Sequence, residues 1–432
     1  MKATHRLISN LTRLLRDAIS SSRDDFTFFA DDGRTLHLSN NTDVGLYIHV
    51  PFCAHLCPYC PYYRVHFRED LTSPYFTALN SEVNKLRERI ASCRINSLYI
   101  GGGTPTLVLE QLGELLNNLR RTFSVNGPVA IETIPSEITN DKSRLMKQVG
   151  VDFVSIGVQS FQNKFLDLLG RDYDRNKAQE AIGILSRDQF NLINVDMMFA
   201  FPSQTTGELM KDLRKVVAYR PQQVTCYPLF TFPYSAVGRY RRLQKLCMPD
   251  HKLRRKMYYI ICTFFLERGY RQSSVWSFTR DTNDSYSSVS RDYYIGLGPS
   301  AGSYTGEAFY FNTFSLKEYI KTTGSRLPIA LKMKVSPRLE KLFWLYWRLY
   351  ETVIPDREFQ RRFDSKLPWD FKLLQNFLKF IGFGSRISGR RFVLKPAGAH
   401  WIHLLQNQYA LNYVNSVWTK CQSTPWPRKV KL

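Results

Sequence analysis

LYIHVPFCAHLCPYC, residues 46–60, places Cys53, Cys57 and Cys60 directly after an apolar run, Leu46 to Val50, that has strand character. The spacing is C-x-x-x-C-x-x-C. Three thiolates on one short loop can hold three corners of an iron–sulfur cluster. The fourth corner then has no cysteine, and an iron with an open position can bind a substrate or cofactor. Phe52, Pro58 and Tyr59 would pack around the cluster and limit access of water. Two plainer readings stand beside this one. His55 or His49 with the three cysteines would make a structural zinc site, and unliganded cysteines are common core residues.

Composition narrows the class. A chain of 432 residues is long enough for more than one domain and a sizeable core. Its 44 % hydrophobic and 22 % charged residues are ordinary for a globular protein. The eight cysteines lack paired spacing, which argues against a secreted disulfide scaffold; reduced thiols fit a cytoplasmic setting. The longest apolar run, Met257 to Leu266, is far short of the roughly 20 residues that span a bilayer. Leu7, Leu11, Leu14, Leu15 and Ile19 suggest an amphipathic helix within Met1 to Arg23. Asp17, Asp24 and Asp25 set it apart from a transit peptide.

The net charge is +23, from 60 basic and 37 acidic residues. It suits a nucleic-acid surface, an anionic membrane surface or an anionic substrate. The basic residues are spread along the chain, with local clusters at Arg239, Arg241 and Arg242, at Arg254 to Lys256, at Arg361 and Arg362, and at Arg390 and Arg391. A solvated face is the plain alternative.

Residues 26–40 read as a hairpin about an Asp-Gly turn. From Leu46 onward strand, loop and helix repeat. Strands are expected at 46–50, 96–100, 128–133, 152–157, 192–198 and 222–229. Helices are expected through Tyr75, Leu79, Val83, Leu86 and Ile90, and through Leu109, Leu112, Leu116 and Leu119. This alternation means an α/β fold, with helices outside a parallel sheet. Six units rather than eight predict an open, three-quarter β/α barrel whose chemistry sits at the C-terminal strand ends.

The motifs fall at those ends. Gly101, Gly102, Gly103 and Thr104 follow the second strand, Glu132 ends the third, and SIGVQSF with Gln159 ends the fourth. Arg171 comes soon after. Asp196 lies inside an otherwise apolar fifth strand, facing either a polar site or a partner such as Arg171. Each signal is weak alone: a glycine triplet is often only a turn, and Glu132 suits a surface ion pair. In order and spacing, together with the leader YIHVPFC, they resemble the radical S-adenosylmethionine (SAM) superfamily, in its branch of oxygen-independent coproporphyrinogen III oxidases and haem chaperones.

The resemblance covers most of residues 41–330. It implies a [4Fe–4S] cluster on Cys53, Cys57 and Cys60, with its fourth iron chelated by SAM. It implies further that Tyr47, Glu132, Gln159, Arg171 and Asp196 contact SAM, that Gly102, Gly103 and Thr104 lie against its methionine part, and that Tyr59 packs on the adenine. One electron through the cluster would split SAM to a 5′-deoxyadenosyl radical that takes hydrogen from a small-molecule substrate. Flavodoxin or ferredoxin is the expected donor. YYIGLGPSAGSY (residues 293–304) and FNTFSLKEYI (311–320) resemble the family's substrate-approaching glycine segment and its follow-on. The last hundred residues resemble its small winged-helix-like domain, with WPRKVKL as a loose tail. The expected organisation is an extension (1–40), the barrel core (41–235), a continuation over the site (236–330) and the C-terminal domain (331–432).

Two departures bear on the reaction. The oxidases carry a further cysteine two positions after the third ligand, where this chain has Tyr62. Relatives usually have histidine where it has Gly302. The first argues against oxidative decarboxylation of coproporphyrinogen. It leaves chemistry on a tetrapyrrole, or C-methylation with one or two molecules of SAM. The alternatives are a haem-binding chaperone that keeps the cluster and a zinc-stabilised nucleic-acid-binding protein.

Overall fold

The computed structural model describes residues 9–10, 12, 26–33, 36, 38, 43–90, 92–230, 248–281, 287, 292–387 and 391–432. Most of the expected helix in Met1 to Arg23 lies outside them, as does the cluster Arg239, Arg241 and Arg242. Six strands form where the apolar runs predict them: β1 (Asp43–Val50), β2 (Arg94–Gly102), β3 (Val129–Thr133), β4 (Phe153–Gln159), β5 (Leu192–Phe199) and β6 (Gln223–Pro228). They pair in chain order and all in parallel.

Helices α1 (Glu69–Ile90), α2 (Leu109–Thr122), α3 (Asn140–Gln148), α4 (Arg175–Arg187) and α5 (Thr206–Ala218) return the chain between them. Tyr75, Leu79, Val83, Leu86 and Ile90 are all buried along α1, as their three- and four-residue steps require. Local chemistry sets where helices begin. Thr205 and Glu208 form a reciprocal capping box at the start of α5, and Asp174 accepts two backbone N–H groups at the start of α4.

Every residue of β4 is buried, because helices cover one face and the barrel interior the other. The inner face is polar. The Asn194 side chain donates to Ser155 Oγ at 2.8 Å and accepts from Thr225 Oγ1 at 2.9 Å, so three adjacent strands share one network.

Among the described residues the sheet does not close. Beyond β6 it continues antiparallel through Ser277–Thr279. Beyond β1 a seventh parallel strand, Tyr294–Leu297, precedes the antiparallel strands Gly302–Tyr304, Ala308–Asn312 and Ile329–Lys334. The whole is an open sheet of 15 strands.

The glycine-rich stretch from Tyr293 is thus part of the sheet and anchors it. Buried Glu82 on α1 accepts from the Gly298 backbone at 2.9 Å, from Asn312 Nδ2 at 2.7 Å and from the Tyr319 hydroxyl at 2.5 Å.

Two local expectations change. Thr27–Ala30 is paired on both sides, with Ile329–Lys334 and with Lys429–Lys431, so it is not half of a local hairpin. The basic tail is a strand rather than loose chain. Val430 is buried with Phe28 and Leu331, and that apolar contact holds the edge in register.

The C-terminal elements run helix (Pro337–Tyr350), strand (Val353–Pro355), helix (Asp356–Phe363), helix (Trp369–Phe380), strand (Gly384–Ile387), strand (Arg391–Leu394), the order of a winged helix. A further helix, Pro396–Tyr409, follows. Arg348 and Arg362 tie this unit to Asp292, while Glu351, Glu358 and Glu340 complete the ion network. Arg362, one of the clustered arginines expected to suit an anionic substrate, is therefore already paired.

Candidate functional site

The cysteine loop is closed at its base. Phe52–Cys53 pairs in parallel with Val65–His66, and Phe67 N–H donates to the Cys53 carbonyl at 2.8 Å. Arg64 holds the loop from within, its guanidinium donating to the Cys60 carbonyl at 2.9 Å, to the Tyr62 carbonyl at 3.1 Å, and to the Cys57 carbonyl. Sequence reasoning passed over Arg64; a lone arginine four residues after the last cysteine carries no pattern.

The glycine triplet packs against the same loop. Gly103 N–H donates to the Val50 carbonyl and Thr104 N–H to the Phe52 carbonyl, both at 2.7 Å. A Cβ on Gly103 would sit 2.3 Å from the Phe52 carbonyl oxygen, and Gly102 has φ +115° with the His49 ring 2.8 Å from where its Cβ would lie. The turn and the close approach are thus the same requirement.

Cys53, Cys57 and Cys60 are all free and line one cavity of about 720 Å³ at the C-terminal ends of the strands. Strand alternation selects the rest of the lining: Ser155, Gly157 and Gln159 from β4, Asn194, Asp196 and Met198 from β5, Thr225 and Tyr227 from β6. Gly102, Gly103, Thr104, Glu132, Tyr59 and Arg171 join them. Tyr47 is buried beside these residues, close enough to Glu132 and Cys60 for their charges to act on its hydroxyl. It packs on Tyr99, and its hydroxyl donates to His49 Nδ1 at 2.8 Å.

The charged groups are buried and individually held. Glu132 accepts from the Tyr99 hydroxyl and from Gly102 N–H at 3.1 Å, and burial still raises its pKa. Asp196 accepts from Asn194 at 2.8 Å and Ser155 at 3.3 Å rather than pairing with Arg171, and burial pushes it up to about 7. Arg171 donates to the Tyr59 hydroxyl, while its buried Nε has no partner.

The zinc alternative loses His49, both of whose ring nitrogens are taken, and keeps only the exposed His55. His49 is engaged by Tyr47 and by the Tyr63 carbonyl, and His55 pairs with Asp172 at 3.0 Å. Among the described residues no three His, Cys, Asp or Glu side chains gather about a single ion. A [4Fe–4S] cluster does not require that, since each cysteine bonds a different iron. Three free thiols on one loop, with an orphaned guanidinium nitrogen of Arg171 in the same cavity beside Tyr59, fit a cluster carrying a cofactor with an anionic group. Burial and the neighbouring Cys60 push the Cys53 thiol up to about 12, so iron must displace its proton.

Residues 47–216 match the model of the radical SAM superfamily. The chain contains a radical SAM domain. Members of this superfamily bind a [4Fe–4S] cluster and SAM. The chain is 26 % identical to the haem chaperone HemW of Bacillus subtilis over 63 % of its own length and 74 % of that protein's. It is also 26 % identical to the oxygen-independent coproporphyrinogen III oxidase of Bradyrhizobium diazoefficiens, over 68 % and 70 %. Coproporphyrinogen III oxidase (HemN) from Escherichia coli has the same fold, with a TM-score of 0.72 at 20 % identity over 85 % of this chain and 90 % of that one.

The part of the cavity wall built mostly from the C-terminal helices went unread in sequence. Trp276, Tyr346, Trp347, Tyr350, His403 and Gln406 line it, most of them from Pro337–Tyr350 and Pro396–Tyr409. Gln406 Nε2 donates to the Tyr346 carbonyl at 2.7 Å and joins the two helices. Its Oε1, both ring nitrogens of His403 and Trp347 Nε1 are out of water and have no hydrogen-bond partner. Buried polar atoms are rarely left so, and four on one wall point to a ligand. Burial lowers the His403 pKa to about 3, so its ring is neutral.

Proposed function

We propose that this chain is a radical SAM enzyme of the coproporphyrinogen oxidase-like branch, acting on an organic substrate held between the cysteine loop and the C-terminal wall. One observation carries it: three free thiols at the strand ends share a cavity with Glu132, Gln159, Arg171 and Asp196. When bound, the cluster and SAM supply a 5′-deoxyadenosyl radical, which takes hydrogen from carbon.

The protein's part is placement. Cys53, Cys57 and Cys60 hold iron, and Arg64 keeps their loop in one shape. Gln159, Arg171, Glu132 and Asp196 surround SAM, with Tyr59 against its adenine and Gly102, Gly103 and Thr104 beside its methionine part. Tyr47, packed on Tyr99 and bonded to His49, belongs to the same shell. His403, Trp347 and Gln406 orient the substrate, and the aromatic wall excludes water. With Tyr62 in place of a further cysteine, a carbon–hydrogen bond of a tetrapyrrole or a C-methylation substrate suits the site better than coproporphyrinogen. The electron donor is a flavodoxin or ferredoxin, and the free thiols suit a reducing compartment such as the cytoplasm.

Reconstituted anaerobically with iron and sulfide and then reduced, the protein should release 5′-deoxyadenosine from SAM; S-adenosylhomocysteine beside it would mark methyl transfer. Cys57→Ala should lose both products, and an active Cys57→Ala protein would refute the ligand set. A haem chaperone is the second reading, favoured by the names of the HemW relatives and by the neutral, unpartnered His403 imidazole in an aromatic wall. Stoichiometric haemin binding without SAM cleavage would decide for it.

A further inference from the structure

We propose that the outward face of helix Trp369–Phe380 docks on an anionic lipid surface. Trp369 is 78 % exposed, Leu373 59 %, Phe377 56 % and Phe380 89 %. At 3.6 residues per turn these four fall within an arc of about 80°. The opposite face, with Phe371, Gln375 and Leu378, is buried in the domain, so the stripe is not a core face turned out by error of register. Elsewhere among the described residues, large exposed hydrophobics such as Phe29 and Leu266 do not form a comparable helical stripe. A cluster of this kind marks an interaction surface.

Charge selects the occupant. Lys372 and Lys379 are exposed on one flank of the stripe, and among the described residues neither is in an ion pair. The chain carries +23 overall. A second copy would bring two lysine flanks and two strongly positive molecules together, which repel. Duplex DNA would meet this helix, third in a winged-helix order, through Trp, Leu and Phe, where phosphate and base edges require donors and cations. An anionic bilayer satisfies both parts: aromatic and aliphatic side chains enter the headgroup boundary while lysines reach lipid phosphates. No helix among the described residues is long and apolar enough to cross a membrane. The contact is therefore peripheral, and residues 369–380 do not line the cavity that holds the cysteines.

The full-length protein is to be co-sedimented with vesicles of phosphatidylglycerol and phosphatidylcholine, and with phosphatidylcholine alone. Binding is expected to the anionic vesicles only, weakening as salt rises. Trp369→Ser with Phe380→Ser should weaken it about tenfold, and Lys372→Glu with Lys379→Glu should do likewise. All four positions are exposed, so the melting temperature should stay at the wild-type value. Unchanged vesicle binding by either double variant overturns the proposal. So does a concentration-dependent dimer that Trp369→Ser with Phe380→Ser dissolves, or a duplex-DNA complex lost in that same variant.

Discussion

The Arg171 guanidinium donates to the Tyr59 hydroxyl and lies 5.5 Å from the centre of the same ring. One contact thereby fixes a cation from the loop after β4 against the aromatic residue beside the third cysteine. Replacing Arg171 by Leu removes the charge and leaves a buried hydroxyl unpaired. Loss of a charge-assisted hydrogen bond should weaken SAM binding about tenfold. Calorimetric titration of the reconstituted protein, with iron and sulfide content unchanged, measures it. Wild-type affinity in Arg171→Leu would reduce the contact to a structural one.

Asp196 gives the site a pH dependence. Burial raises its carboxyl from 3.8 to about 7, against the bonds from Asn194 and Ser155. The ionised form, which attracts the ammonium and sulfonium of SAM, is therefore gained as pH rises through about 7. SAM affinity should rise across that range in the wild type and stay flat in Asp196→Asn. A parallel rise in the variant would assign the titration to another group.

Glu82 acts on stability instead. Its folded pKa is raised from 4.5 to about 7, chiefly by burial, so the folded state binds a proton more tightly than the unfolded chain. The associated stability is fully present below 4.5 and is lost as pH rises to about 7. A shift of this size corresponds to about 3 kcal/mol. Urea unfolding across that window should show the loss in the wild type and not in Glu82→Gln, which is less stable at every pH because an amide meets the donors Gly298 and Tyr319.

His403 makes an opposite kind of prediction. Two unpartnered ring nitrogens in an aromatic wall cost the ligand-free protein stability. His403→Phe keeps the packing on Trp276, whose ring centre is 4.8 Å away. It should stabilise the ligand-free protein by about 1 kcal/mol while leaving 5′-deoxyadenosine release from SAM intact. A lower melting temperature in the variant would show that His403 is satisfied within the protein.

The six parallel strands, the first two helices and the cysteine loop were legible because each rests on short-range pattern. Alternation, three- and four-residue steps and the thiol spacing are complete within about twenty residues. The same reasoning found Asp196, since a carboxylate in an apolar strand stands out against its neighbours. It did not find Ser155, Asn194 and Thr225, which look neutral singly and become a network only when three strands align.

Sequence by itself determined the chemistry-bearing loop, the parallel strand–helix repeat and, through the family its motifs resemble, the class of cofactor. Tertiary structure decided which side chains meet around them. It joined Tyr47 to His49, gave Gly298 and Asn312 to Glu82, and made Lys429–Lys431 a partner for Thr27–Ala30. It also brought Trp347, His403 and Gln406 into one cavity with Cys53, Cys57 and Cys60. The reason is one of range: local periodicity reports which face of an element is apolar, whereas convergence of residues hundreds of positions apart follows from how those faces pack.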